Sequence, residues 1–125
     1  MKLANLLTFI EANELTLSDS SQLENDIQYI ATADLMSDLL ALVIAPSGQT
    51  VLVTGLANGS CLRTVEMLDI QNIIFCRNKH LSDDHAKMAA EMNINTFTTK
   101  LPMFDVIGIL YREGLRTATR LPHEA

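Results

Sequence analysis

The chain has 125 residues, and 48% of them are apolar, so it is long enough for one domain with a substantial core. Nine basic residues against fifteen acidic ones leave a net charge of −6, which argues against general binding to a phosphate backbone. The charge is uneven: residues 1–60 carry Lys2 as their one base, while the bases of residues 61–125 balance the acids. Solubility alone accounts for such a bias. The sharper reading is an acidic half that faces an Arg-bearing surface, such as a second subunit.

In chain order, Leu3, Leu6, Leu7 and Ile10 have the spacing of a helix face over residues 2–12. Glu11 and Glu14 interrupt this apolar start, so no leader pattern is expected. Thr16-Leu17 can open an extended segment, and Ser18–Ser21 is a polar turn cluster. Ile27–Ile30 alternates and predicts a short strand. Thr32 is an expected N-cap for a helix over Ala33–Ala45, which Pro46-Ser47-Gly48 ends. The apolar run Leu35–Ala45 is too short for a membrane span, which takes about 20 residues. No membrane association and a cytoplasmic location are therefore expected.

Thr50–Thr54 is an apolar, β-branched run and reads as a strand buried on both faces. Asn58-Gly59-Ser60 then opens a helix that runs to Leu68. Asn72–Cys76 is a second buried strand, predicted to lie beside the first. Ser82 caps a helix from Asp83 to Met92, with Asp83 and Asp84 where the helix dipole favours acids. Thr96–Thr98 is a third strand, and Pro102 starts a helix from Met103 to Glu113 that Gly114 stops. Residues 116–125 read as a polar, frayed tail behind a single domain over 1–115. The alternation predicts an α/β fold in three layers, a mostly parallel sheet with helices on both faces.

Three clusters are candidates for chemistry. Thr54, Gly55, Asn58, Ser60, Arg63 and Thr64 form a turn and helix start beyond a buried strand, where open α/β sheets bind ligands and where helix N–H groups attract anions. It has neither the Walker A nor the GxGxxG pattern, and a plain capped turn is the simpler alternative. Arg77 and Lys79, after the second strand, fall at the same edge if the strands are parallel; a solvent-exposed basic loop is their simpler alternative. Asp34 and Asp38 are four residues apart and share a face of the predicted helix, on the rim of such a pocket or simply in a solvated first turn.

Cys61 and Cys76 lack CxxC spacing and read as buried thiols. His80 and His85 bracket an acidic pair, a weak start for a metal site. No metal, no cofactor and no catalytic residue is assigned, and no Ser, His and carboxylate set assembles.

The strings ADLMSDLLA, VLVTGLANGSCLRTVEMLDIQNIIFCRNK and MAAEMNINTFTTKLPMFDVIGILYREGL resemble the DRTGG domain family. More closely, they resemble the stand-alone proteins similar to the N-terminal domain of HPr kinase/phosphorylase. The resemblance spans residues 25–115. It is carried by Asp34-x-x-Ser37-Asp38, Thr54-Gly55, Arg63-Thr64, Arg77 with Lys79, and Phe104-x-x-x-Gly108-x-Leu110-Tyr111. Leu56 stands where the eponymous pattern has a second Gly, and no Asp-Arg dipeptide occurs, so the sequence resembles a divergent branch.

The resemblance implies a regulatory, oligomerising or ligand-sensing module. In HPr kinase the kinase activity belongs to a separate P-loop domain, whose motif this sequence does not show. The expectation is a non-enzymatic homodimer that senses a small anionic ligand, either a nucleotide or a phosphorylated metabolite. An assembly module docking on a partner enzyme or signalling protein is the alternative, and a phosphoryl or acyl transfer enzyme a distant one.

Overall fold

The computed structural model describes residues 1–33 and 35–120. Its sheet is built from β1 (Asn13–Thr16), β2 (Tyr29–Ala31), β3 (Thr50–Thr54), β4 (Asn72–Phe75), β5 (Asn95–Thr98) and β6 (Arg116–Thr117). The helices are α1 (Leu3–Phe9), α2 (Met36–Leu42), α3 (Gly59–Leu68), α4 (Asp83–Glu91) and α5 (Met103–Arg112). The strand order is β1-β5-β4-β3-β2-β6. Every neighbouring pair is parallel except β1 with β5, an antiparallel pair at one edge.

Every residue of β3, β4 and β5 is buried. That requires cover on both faces, and two separate apolar clusters provide it. On one face Val51, Val53, Ile74 and Phe97 meet Leu3 and Leu6 of α1, Ile10 just after it, and Val106 and Leu110 of α5. On the other, Leu52, Ile73 and Phe75 meet Leu39 of α2, Cys61, Leu62 and Val65 of α3, and Ala89 of α4. Side chains alternate along a strand, so Leu52 and Val53 feed opposite layers. The expected three-layer α/β architecture is present. β3 and β4 are neighbours, with Val53 opposite Ile74.

The winding explains the layering. The chain steps one strand at a time from β2 to β5, so right-handed crossovers place α2, α3 and α4 together on one face. It then reverses from β5 to β6, and α5 returns across the other face beside α1.

Four readings of the sequence need correction. Thr32 is not a helix N-cap. β2 runs on to Ala31 in register with Leu52, α2 begins only at Met36, and the Thr32 hydroxyl donates to Met103 Sδ at 3.2 Å. The α2 helix stops at Leu42 and not at Ala45, because Ile44 and Ala45 turn their N–H groups to the Ala118 carbonyl, at 3.0 and 3.2 Å. The same contact corrects the polar tail: Arg116 and Thr117 pair with Tyr29 and Ile30 as β6, and Ala118 is fully buried. Without β6, β2 would leave a bare edge. The β1 strand also sits earlier than Thr16-Leu17, and its Asn13 pairs with Thr98.

At the amino end of the sheet, a side-chain network ties the 3-10 turn Ser20–Glu24 to the strands. Asn95 Nδ2 donates to Asn72 Oδ1 at 2.9 Å, and Asn95 Oδ1 accepts from the N–H groups of Ser18 and Asp19. No described buried side-chain N or O lacks a partner, so these amides are structural.

Candidate functional site

Parallel pairing brings the turns after β3 and β4 to one edge. The Cys76 N–H donates to the Thr54 carbonyl at 3.1 Å, so both turns leave the sheet side by side. Asn58 is extended and caps α3, its Oδ1 accepting from Ser60 N–H at 3.0 Å and Cys61 N–H at 3.4 Å. Two hydroxyls expected to face a ligand are committed inside the protein. Thr54 Oγ1 accepts from Leu56 N–H at 3.0 Å, and Thr64 Oγ1 donates to the Ser60 carbonyl at 2.9 Å. Both threonines are buried. Gly55, Ser60 and Arg63 face outward: Gly55 and Arg63 are exposed and Ser60 is half-buried.

A residue outside the expected set joins them. A β-carbon at Gly59 would lie 3.0 Å from His85 Nε2 and 3.4 Å from Arg63 Nη1. The imidazole from the first turn of α4 and the guanidinium of Arg63 therefore both lie over the head of α3. The sequence carries one signal for this. Ser82 accepts the His85 N–H at 3.3 Å, which sets His85 in the first turn of a helix that follows the strand next to β3.

The β4 exit is built differently. Arg77 and Asn78 are both left-handed, each with φ of 57°, a rare pair for non-glycine residues. The turn is held by Arg77 N–H to the Leu101 carbonyl at 3.0 Å, Asn78 N–H to the Thr99 carbonyl at 2.8 Å, and Thr98 Oγ1 to the Lys79 carbonyl at 2.8 Å. The connections after β4 and β5 leave on opposite faces, so this is the topological switch point where open sheets usually bind ligands. Here the two loops are sewn together across it, and Arg77 and Lys79 stand exposed above the seam.

Among the described residues, no ion pair engages Arg63, Arg77 or Lys79. Asp38 is exposed in the first turn of α2 and borders a groove of about 290 Å³ with Thr32, Leu42 and Thr119. Asp34 lies outside the described residues.

Another groove lies away from this edge. It measures about 600 Å³ and is bounded by α5, β6 and the segment Ile44–Pro46. No sequence signal located it, because β6 forms its floor. Cys61 and Cys76 are buried, and burial pushes both thiols up, Cys76 to about 11, so neither is a ready nucleophile.

No protein-family model and no curated protein matches the chain. Among solved structures it is similar to the CBS and DRTGG domains of the regulatory region of a Clostridium perfringens pyrophosphatase, determined with the activator diadenosine tetraphosphate. The identity is 15%, and the TM-score is 0.68 over 87% of this chain and 45% of that one. The chain thus spans less than half the length of that neighbour. What the two share is the fold, a mostly parallel α/β arrangement.

Proposed function

We propose that this chain is a non-catalytic regulatory module of the cytoplasm that senses a small anionic ligand and acts as a homodimer. The ligand class is a nucleotide or a phosphorylated metabolite. One observation supports the reading: the turns after β3 and β4 leave the sheet side by side, and Arg63, Arg77 and Lys79, which follow them, have no anionic partner among the described residues. In a chain of net charge −6, exposed cations beside these two turns would favour an anion there. His85 over Gly59 adds an imidazole to the same place. The pyrophosphatase regulatory region with its nucleotide activator lends support by analogy of fold.

A thermal-shift screen of the purified chain against nucleotides and phosphorylated metabolites tests this. A ligand at 100 times its dissociation constant is expected to add about 2.7 kcal/mol. Arg63→Ala and Lys79→Ala are each expected to weaken that ligand about tenfold, or ~1.4 kcal/mol, and added salt should weaken it further. Unchanged affinity in both variants sinks the site.

The second reading is an assembly module that docks on a partner protein and takes no ligand. The sewn switch point favours it, as do the Thr54 and Thr64 hydroxyls spent inside the turn. A screen without a single hit would decide for it.

A further inference from the structure

The α5 helix is covered on one side only. Val106 and Leu110 point into the sheet, while Phe104 is 87% exposed and Tyr111 62% exposed. Gly108 is exposed too, with nothing within 4 Å of where its β-carbon would stand. At about 100° per residue, Gly108 falls in the middle of this bare face. Phe104 and Tyr111 run along one flank of it, and the exposed Asp105 and Arg112 along the other.

This pattern is self-complementary. We infer that α5 is the surface through which two copies of this chain associate, packed antiparallel across a two-fold axis beside Gly108. The inference rests on the homodimer part of the function proposed above and names its surface. Such an axis reverses the helix direction but keeps each flank facing its own counterpart. Asp105 therefore meets Arg112 of the second copy, and the pair occurs twice. Phe104 meets Tyr111 of the second copy on the other flank, at the mouth of the 600 Å³ groove that Ile107, Tyr111 and Leu115 line.

Gly108 lets the two backbones approach closely. The Arg116 guanidinium sits 4.3 Å from the centre of the Tyr111 ring and fixes the ring at that mouth. Arg112 is held only by an exposed contact of its Nε to Glu113 at 3.5 Å, which leaves its remaining nitrogens for the second copy. The occupant of this face is thus another α5, with opposite charges at its two ends and aromatic rings matched along one side.

Charge-swapped variants of the full chain test the arrangement by sedimentation and light scattering. The unaltered chain is expected at twice its 13.8 kDa mass at micromolar concentration. Asp105→Arg places like charges together twice, and so does Arg112→Asp. Each alone is expected to raise the dimer dissociation constant tenfold or more, while circular dichroism stays unchanged. Mixing the two variants restores opposite charges at both pairs, and a heterodimer of one of each is expected.

A monomeric unaltered chain would overturn both the surface and the homodimer reading. A dimer that survives either swap, or variants that fail to pair when mixed, would overturn the surface and leave the homodimer standing. The ligand half of the proposed function is read separately by the thermal-shift screen.

Discussion

Asn58 sits where fold and proposed function make different demands. Its carboxamide satisfies two N–H groups at the head of α3, and Asn58→Ala is expected to cost about 1 kcal/mol in urea unfolding. Asn58→Asp keeps the acceptor and adds a charge that the helix dipole welcomes, so stability should hold. The same charge would repel an anion beside Arg63. Asn58→Asp is thus expected to leave the unfolding midpoint in place while weakening any anionic ligand found in the screen. Equal ligand affinity for Asn58→Asp and the unaltered chain would place the ligand elsewhere. Gly114 makes a purely conformational case. Its φ is 99° and its surroundings are open, so Gly114→Ala is expected to cost about 1 kcal/mol with no steric component.

At the level of elements, β6 tests how much two residues can hold. Arg116 N–H donates to the Gln28 carbonyl at 3.1 Å and Ala118 N–H to the Ile30 carbonyl at 2.9 Å, while the Ala118 carbonyl accepts from Ile44 and Ala45. Ending the chain after Leu115 removes these four bonds and bares β2, and a loss of roughly 4 kcal/mol is expected at about 1 kcal/mol per bond. An unchanged urea midpoint in the shortened chain would mean that this strand holds nothing. The sequence concealed β6 for a physical reason. A two-residue strand has no periodicity, and its place is set by the unpaired edge of β2, 85 or more residues away in the chain. β3 and β4 were plain because burial on both faces demands an unbroken apolar run, and α3 and α4 because Asn58 and Ser82 are true caps. The candidate site was legible in the same measure. Parallel strands guaranteed that the turns after Thr54 and Cys76 share an edge, whereas the inward hydroxyls of Thr54 and Thr64 and the approach of His85 to Gly59 depend on packing between neighbouring helices.

On the scale of the whole molecule, the two thiols lie in different layers. Cys61 belongs to the cluster under α2, α3 and α4, and Cys76 to the one under α1 and α5. Burial raises both pKa values, that of Cys76 from 9.0 to about 11. In alkaline solution the unfolded chain gives up these protons first. Between pH 9 and 11 the native state therefore binds more protons than the unfolded one, and stability falls as pH rises. At about 1.4 kcal/mol per unit, Cys76 alone contributes a loss on the order of 2 to 3 kcal/mol once pH passes its native value, and Cys61 acts in the same direction. Lys2 also loses a stabilising proton in alkali, since the neighbouring Glu24 raises its pKa, so the unaltered chain alone cannot isolate the thiol. Cys76→Ala isolates it. The small cavity lowers stability at every pH, but the alkaline slope attributable to this thiol disappears. Urea midpoints measured from pH 7 to 10.5 are expected to converge for the two chains as pH rises. Parallel curves would mean that the Cys76 thiolate is tolerated in the folded core, and that the layer under α1 and α5 admits water.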